Sequence, residues 1–124
     1  MSAELVCIGL ATLDTIVAVP EWPEPDGRLV VDGLLRAGGG PAATAAVAAA
    51  AAGRSVAFVG AVGRDDQATL VRHGLLAGGI DVTHLVEQAG PTPESVILVH
   101  GAGGTRSILH APGATRESLG TAAR

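Results

Sequence analysis

Asp14 closes the segment VCIGLATLD (residues 6–14), directly behind a run of apolar residues. In open α/β sheets, ligands bind beyond the carboxyl ends of the strands. A carboxylate there can accept hydrogen bonds from two vicinal hydroxyls. The same aspartate can equally cap a turn. Next comes the run Gly38, Gly39, Gly40, Pro41, which leads into an alanine-rich stretch. Glycines before a helix let a ligand touch the backbone, and the helix dipole favours anions at that end. A tight strand-to-helix turn would use the same residues. Thr44 is the one polar side chain within the alanine stretch. It falls in the first helical turn, on the side of the glycines, and can bond a ligand or its own backbone.

Other polar residues carry weaker signals. Asp65 and Asp66 follow an apolar run and open a helical pattern, so capping explains both. The four histidines, His73, His84, His100 and His110, show no metal-ligand spacing such as His-Glu-x-x-His, and packing or surface roles fit them. Arg106 reads as a solvated strand residue unless a phosphate lies nearby. No Gly-Lys-Ser or Gly-Lys-Thr is present. The Gly-x-Gly-x-x-Gly spacing also fails, because Ala42 and Ala43 follow the glycines.

These residues need elements to position them. LVCIGL (5–10) is a continuous apolar run, the pattern of a strand buried on both faces. IVAV (16–19) is a short strand, and residues 20–27 hold three prolines and form a loop. RLVVDGLL (28–35) is apolar again and reads as the returning arm of a hairpin. Pro41 suits the first position of a helix over residues 42–52, and Gly53 ends it. VAFVGAV (56–62) is a second buried strand. A helix over 66–77 follows, with Leu70, Val71, Leu75 and Leu76 at helical spacing. THLVE (83–87) is a short strand. SVILVH (95–100) and TRSILH (105–110) flank GAGG as a hairpin. Residues 116–124 begin another helix. This alternation implies an α/β fold with a parallel sheet and a small β element beside it.

The totals set outer limits. A chain of 124 residues, 48% hydrophobic and 16% charged, packs as one domain. With one Trp, one Phe and no Tyr, its core must be aliphatic. A net charge of −4 without a basic block excludes an electrostatic nucleic-acid footprint. The alanine run is too short and too weakly apolar for a membrane span. The start lacks a basic secretory leader, and the single cysteine, Cys7, fits a reducing cytoplasm.

Taken together, VCIGLATLD, AGGGPAATAAVAAAAAG (37–53), VAFVGAVGRD (56–65), GIDVT (79–83) and PESVILVHGAGGTRSILHAPGA (93–114) resemble the N-terminal part of the ribokinase/PfkB carbohydrate kinases, with the hairpin most similar to ketohexokinase-like members. The resemblance implies a doubly wound domain with a small β lid over a sugar, the lid comprising segments about 15–36 and 94–110 of a single domain portion, 1–124. It implies ATP and Mg²⁺ as cofactors, a small sugar as partner, and a homodimer made through the lid, as in several members. By the same resemblance Asp14 holds sugar hydroxyls, Gly39 and Gly40 let the sugar approach the backbone, and Arg106 lies on the phosphate side. Thr44 stands where the family usually has an asparagine. The family's Gly-Ala-Gly-Asp catalytic motif does not occur in the 124 residues. The resemblance therefore places no catalytic residue in this chain, and implies a sugar-binding and lid portion inactive alone. A non-catalytic sugar-binding remnant or a gene fragment is the alternative, and a dinucleotide-binding domain is the third.

Overall fold

Among the described residues, aliphatic strands and two short helices build the fold. The computed structural model describes residues 2–114. The helix expected over 116–124 lies outside the described residues. The chain runs β1 (Leu5–Ile8), β2 (Thr12–Val19), β3 (Leu35–Gly39), α1 (Pro41–Ala51), β4 (Val56–Val62), α2 (Asp66–Ala77), β5 (Asp81–Glu87), β6 (Glu94–His100) and β7 (Thr105–Ala111). Two sheets result. One has the order β1-β4-β5, all parallel. The other has the order β3-β2-β6-β7, in which β2 and β6 are parallel and both outer strands antiparallel.

β4 is the middle of the parallel sheet, and each of its seven residues is buried. Its fully apolar sequence is what a strand covered on both faces requires. Phe58, the only phenylalanine, is fully buried at the centre of the core. Around it pack Ala43 and Ala46 of α1, Val71 and Leu75 of α2, and Ile80 and Leu85. Alanines give α1 no apolar stripe, but their size lets the helix lie close to the strands beneath it. Gly53, at φ +89°, follows the last turn of α1 and donates to the Ala50 carbonyl.

Two expectations need correction. β1 is not buried on both faces: Leu5, Val6 and Ile8 are 44–56% exposed. Among the described residues it is an edge strand, with β4 on one side only, and Cys7 alone turns toward the core. Residues 28–34 form no strand either. β3 starts at Leu35, opposite Ile16, and the pairing ends there. The chain before it turns at Asp26, at φ +59°, and Val30 is 86% exposed. With no surface to cover it, that apolar run has nothing to hold it extended.

The start of α2 is pinned by Asp65. Its Oδ1 accepts hydrogen bonds from the Ala68 N–H (2.9 Å) and the Thr92 hydroxyl (2.6 Å), and its Oδ2 accepts from the Thr92 N–H (2.9 Å). The Thr92 hydroxyl accepts in turn from the Gly63 N–H at 2.9 Å. This knot ties the end of β4 and the start of α2 to the loop that launches β6. Partial burial works to raise the carboxyl's pKa, but the donors from Thr92 and Ala68 outweigh it and hold the group below its ordinary value.

Asp65→Ala should lower unfolding free energy by about 1–2 kcal/mol, the usual loss for an N-cap, as read by urea denaturation at pH 7. Because the folded pKa is lowered, the Asp65 contribution is present above the ordinary carboxylate pKa and is lost as pH falls through the folded value. Wild-type stability should therefore fall below about pH 4, and the Asp65→Ala chain should show a flatter profile in that range.

Candidate functional site

The site grows from β2. This strand starts at Thr12, so Asp14 lies inside it rather than directly past the end of β1, as the sequence suggested. Side chains alternate along a strand. Leu13 and Val17 of β2 are buried, while Asp14 and Ile16 on the opposite face are partly open. The Thr12 hydroxyl donates to Asp14 Oδ1 at 2.7 Å. That bond fixes the carboxylate and leaves it acceptor capacity for a ligand.

The three glycines do different jobs. Gly38 and Gly39 belong to β3, and Gly39 pairs with Thr12. A Cβ on Gly39 would collide with the Asp14 carboxylate, lying 2.6 Å from its Cγ. Gly40 alone makes the turn, at φ +93°, and its Cβ would collide with the Leu10 carbonyl oxygen. Gly40 is the N-cap of α1 and Pro41 its first residue, and no side chain caps the helix start.

A cavity of about 290 Å³ opens here. Its polar lining comes from Thr12, Asp14, Ser95 and His110, with Gly40 and Pro41 at one side. Cross-strand register explains why distant residues meet. Asp14 pairs with Ser95 across β2 and β6, and Ser95 pairs with His110 across β6 and β7. The three form a polar row across three strands. The adjacent row on the same face is apolar, where Ile16, Ile97 and Ile108 lie opposite one another. Within the polar row, Ser95 Oγ and His110 Nδ1 are 2.9 Å apart.

Asp14, Gly39 and Gly40 thus come together, as the sequence suggested, but two other candidates stand apart. Thr44 is exposed and lines a different, largely apolar groove of about 450 Å³ between α1 and α2, together with Val47 and Leu70. Its N–H donates to the Gly40 carbonyl at 2.9 Å, so the backbone is at the glycine turn while the side chain faces the neighbouring helix. Arg106, on β7, pairs with Val99 of β6 and is exposed. It shares the cavity's face of the sheet, four residues from His110, which is about 13 Å along a strand.

Thr12, Ser95 and His110 were missed as site residues. One signal was available for the last two. A hairpin closed by four residues pairs the first residue of SVILVH with the last of TRSILH, and these are Ser95 and His110. Nothing local in the sequence shows that this hairpin lies against Asp14.

The comparisons with known proteins agree with this architecture. The model of the pfkB family carbohydrate kinases matches residues 2–123. Ketohexokinase of Mus musculus is 28% identical over 107 residues, 86% of this chain and 36% of that protein. The structure of ribokinase from Giardia lamblia superposes with a TM-score of 0.84 at 25% identity, over 97% of this chain and 40% of that one. Ribokinase from Cryptococcus neoformans var. grubii serotype A, solved in complex with ADP, gives a TM-score of 0.75 at 28% identity, over 91% of this chain and 36% of that one. The chain spans about a third of the length of the curated relatives it matches. A family match along almost the whole sequence, on a fold shared with ribokinases, means that this chain belongs to the pfkB family of carbohydrate kinases.

Proposed function

We propose that the chain forms the sugar-contacting part of an ATP-dependent carbohydrate kinase, with the β3-β2-β6-β7 sheet as the wall against which the sugar lies. The single observation that carries this reading is the Asp14 carboxylate, oriented by Thr12 and facing a cavity of about 290 Å³ whose largely apolar lining also carries Ser95 and His110. That volume is at the small end of small-molecule sites. In this reading Asp14 accepts hydrogen bonds from two sugar hydroxyls. Gly39 keeps the space beside the carboxylate clear, and Gly40 brings the backbone at the start of α1 to the cavity. Arg106 lies beyond, on the same face, toward the phosphates of the nucleotide. No part of the reading rests on Thr44.

ATP and Mg²⁺ enter through the family. Among the described residues, no group of three or more His, Cys, Asp or Glu side chains is placed to hold a metal ion. These residues therefore do not hold Mg²⁺ by themselves, and no transfer step is assigned to them. Phosphoryl transfer depends on positioning and charge stabilisation around the reacting oxygens. Asp14 binds hydroxyls from one wall; a base for the reacting hydroxyl is a separate requirement.

Five outcomes test the reading. Isothermal titration of the 124-residue chain with D-fructose and D-ribose should show binding of at least one. Asp14→Ala should weaken it by about tenfold or more, since hydrogen bonds to a charged group are worth about 1.5–3 kcal/mol; unchanged affinity would refute the role given to Asp14. Gly39→Ala should cost as much affinity by displacing the carboxylate, yet change the melting temperature little, because the group that must move is a side-chain end. Gly40→Ala should instead destabilise the fold by about 1–3 kcal/mol, since backbone blocks it and φ is positive. Finally, sugar-dependent ADP release should be absent from the chain alone, and detecting it would overturn the assignment of a binding part without its own catalytic base.

A further inference from the structure

The polar row continues past Asp14 to a residue with no role so far. Ser95 is buried, at 8% exposure, and its hydroxyl sits 2.9 Å from His110 Nδ1. A neutral imidazole has one donor and one acceptor nitrogen. With Nδ1 engaged by Ser95, Nε2 is the ring nitrogen left for a ligand. Ser95 thus orients the imidazole within the cavity wall that both residues line.

Spacing limits what could reach both ends of the row. Asp14 and His110 are two strands apart, or about 10 Å between backbones at the usual strand separation. Both side chains project from the same face, so the gap between their polar tips can be bridged by one small ring. Ile97 and Ile108 form the wall beside them and offer no hydrogen bond. A ligand filling this space needs polar groups at two separated positions and C–H surface between them. A monosaccharide ring has this pattern.

We propose that His110 is a specificity-determining residue. Its Nε2 hydrogen-bonds a sugar hydroxyl other than the pair held by Asp14, and the two isoleucines pack on the ring's C–H surface. The inference rests on the sugar-binding reading above and deepens it. The site selects monosaccharides that carry a hydroxyl at the His110 end, and it discriminates against analogues that lack it. Such selectivity is expected wherever a site's polar group would be left unpaired by the wrong ligand.

The test is titration of wild type, His110→Phe, His110→Gln and Asp14→Ala with D-fructose, D-ribose and their singly deoxygenated analogues. His110→Phe keeps a ring on an exposed strand and removes its nitrogens. It should weaken the preferred sugar about tenfold, the value of one hydrogen bond at its upper range. It should leave unchanged the one deoxy analogue that lacks the contacted hydroxyl. His110→Gln, which retains a donor and an acceptor, should recover part of the affinity. An equal loss for every analogue, or no loss, overturns the inference. Sugar binding that is abolished by Asp14→Ala but indifferent to His110→Phe refutes this role of His110 alone. A wild-type chain that binds none of the sugars refutes the sugar-binding reading itself, and this inference with it.

Discussion

A contact between bare backbones holds the site together. Gly40 lies against the Leu10 carbonyl so closely that a Cβ would collide with the oxygen and stand 2.8 Å from the carbonyl carbon. This approach draws the start of α1 to the segment that enters β2. It makes one place of two features that lie on different elements, the helix N-terminus and Asp14. Gly39 repeats the device one residue earlier, where the missing side chain leaves room for the carboxylate. Larger residues at these positions would push β3 from β2 or turn Asp14 aside.

The core is organised to keep that contact in place without bulky side chains. α1 offers Ala43 and Ala46 to the strands, both buried, and so sits low over β1 and β4. Individually such residues bury little area, and the stabilisation comes from close packing over many atoms. The larger volume is supplied from the other partners by Phe58, Ile80, Leu75 and Val71. A bigger residue at Ala46, which has no exposed surface, would lift α1 and with it the turn at Gly40. The site's geometry therefore depends on the smallness of a helix that makes no direct polar contact.

Local chemistry in the sequence revealed the residues that meet within a short stretch of chain. Asp14, Gly39 and Gly40 were legible because an aspartate after an apolar run and glycines before a helix each have a local physical meaning. Ser95 and His110 were not, because their place beside Asp14 depends on the parallel pairing of β2 with β6, separated by about eighty residues of chain. Pairing partners at that separation leave no periodic trace. Thr44 shows a different limit. Its position in the first turn was read correctly, but the side chain's direction depends on the helix phase, and that phase aims it at α2. The run at 28–34 is apolar enough for a strand, yet it has neither a partner nor a surface, so composition alone misled.

Register links stability to chemistry in β2. Leu13 and Val17 anchor one face in the interior, and Asp14 and Ile16 occupy the other. Because side chains alternate with a period of two, sliding β2 by one residue would drive Asp14 into the apolar interior and expose Leu13. The burial of an unpaired carboxylate is strongly unfavourable, so the apolar face selects the register that presents the carboxylate. The same pairing then carries the choice outward. Fixing Asp14 against Ser95 places Ser95 on the cavity face, and the β6-β7 hairpin sets His110 beside it. The polar row across the sheet is thus a consequence of burying Leu13 and Val17, and a substitution that loosened their packing would disturb a row to which neither residue belongs.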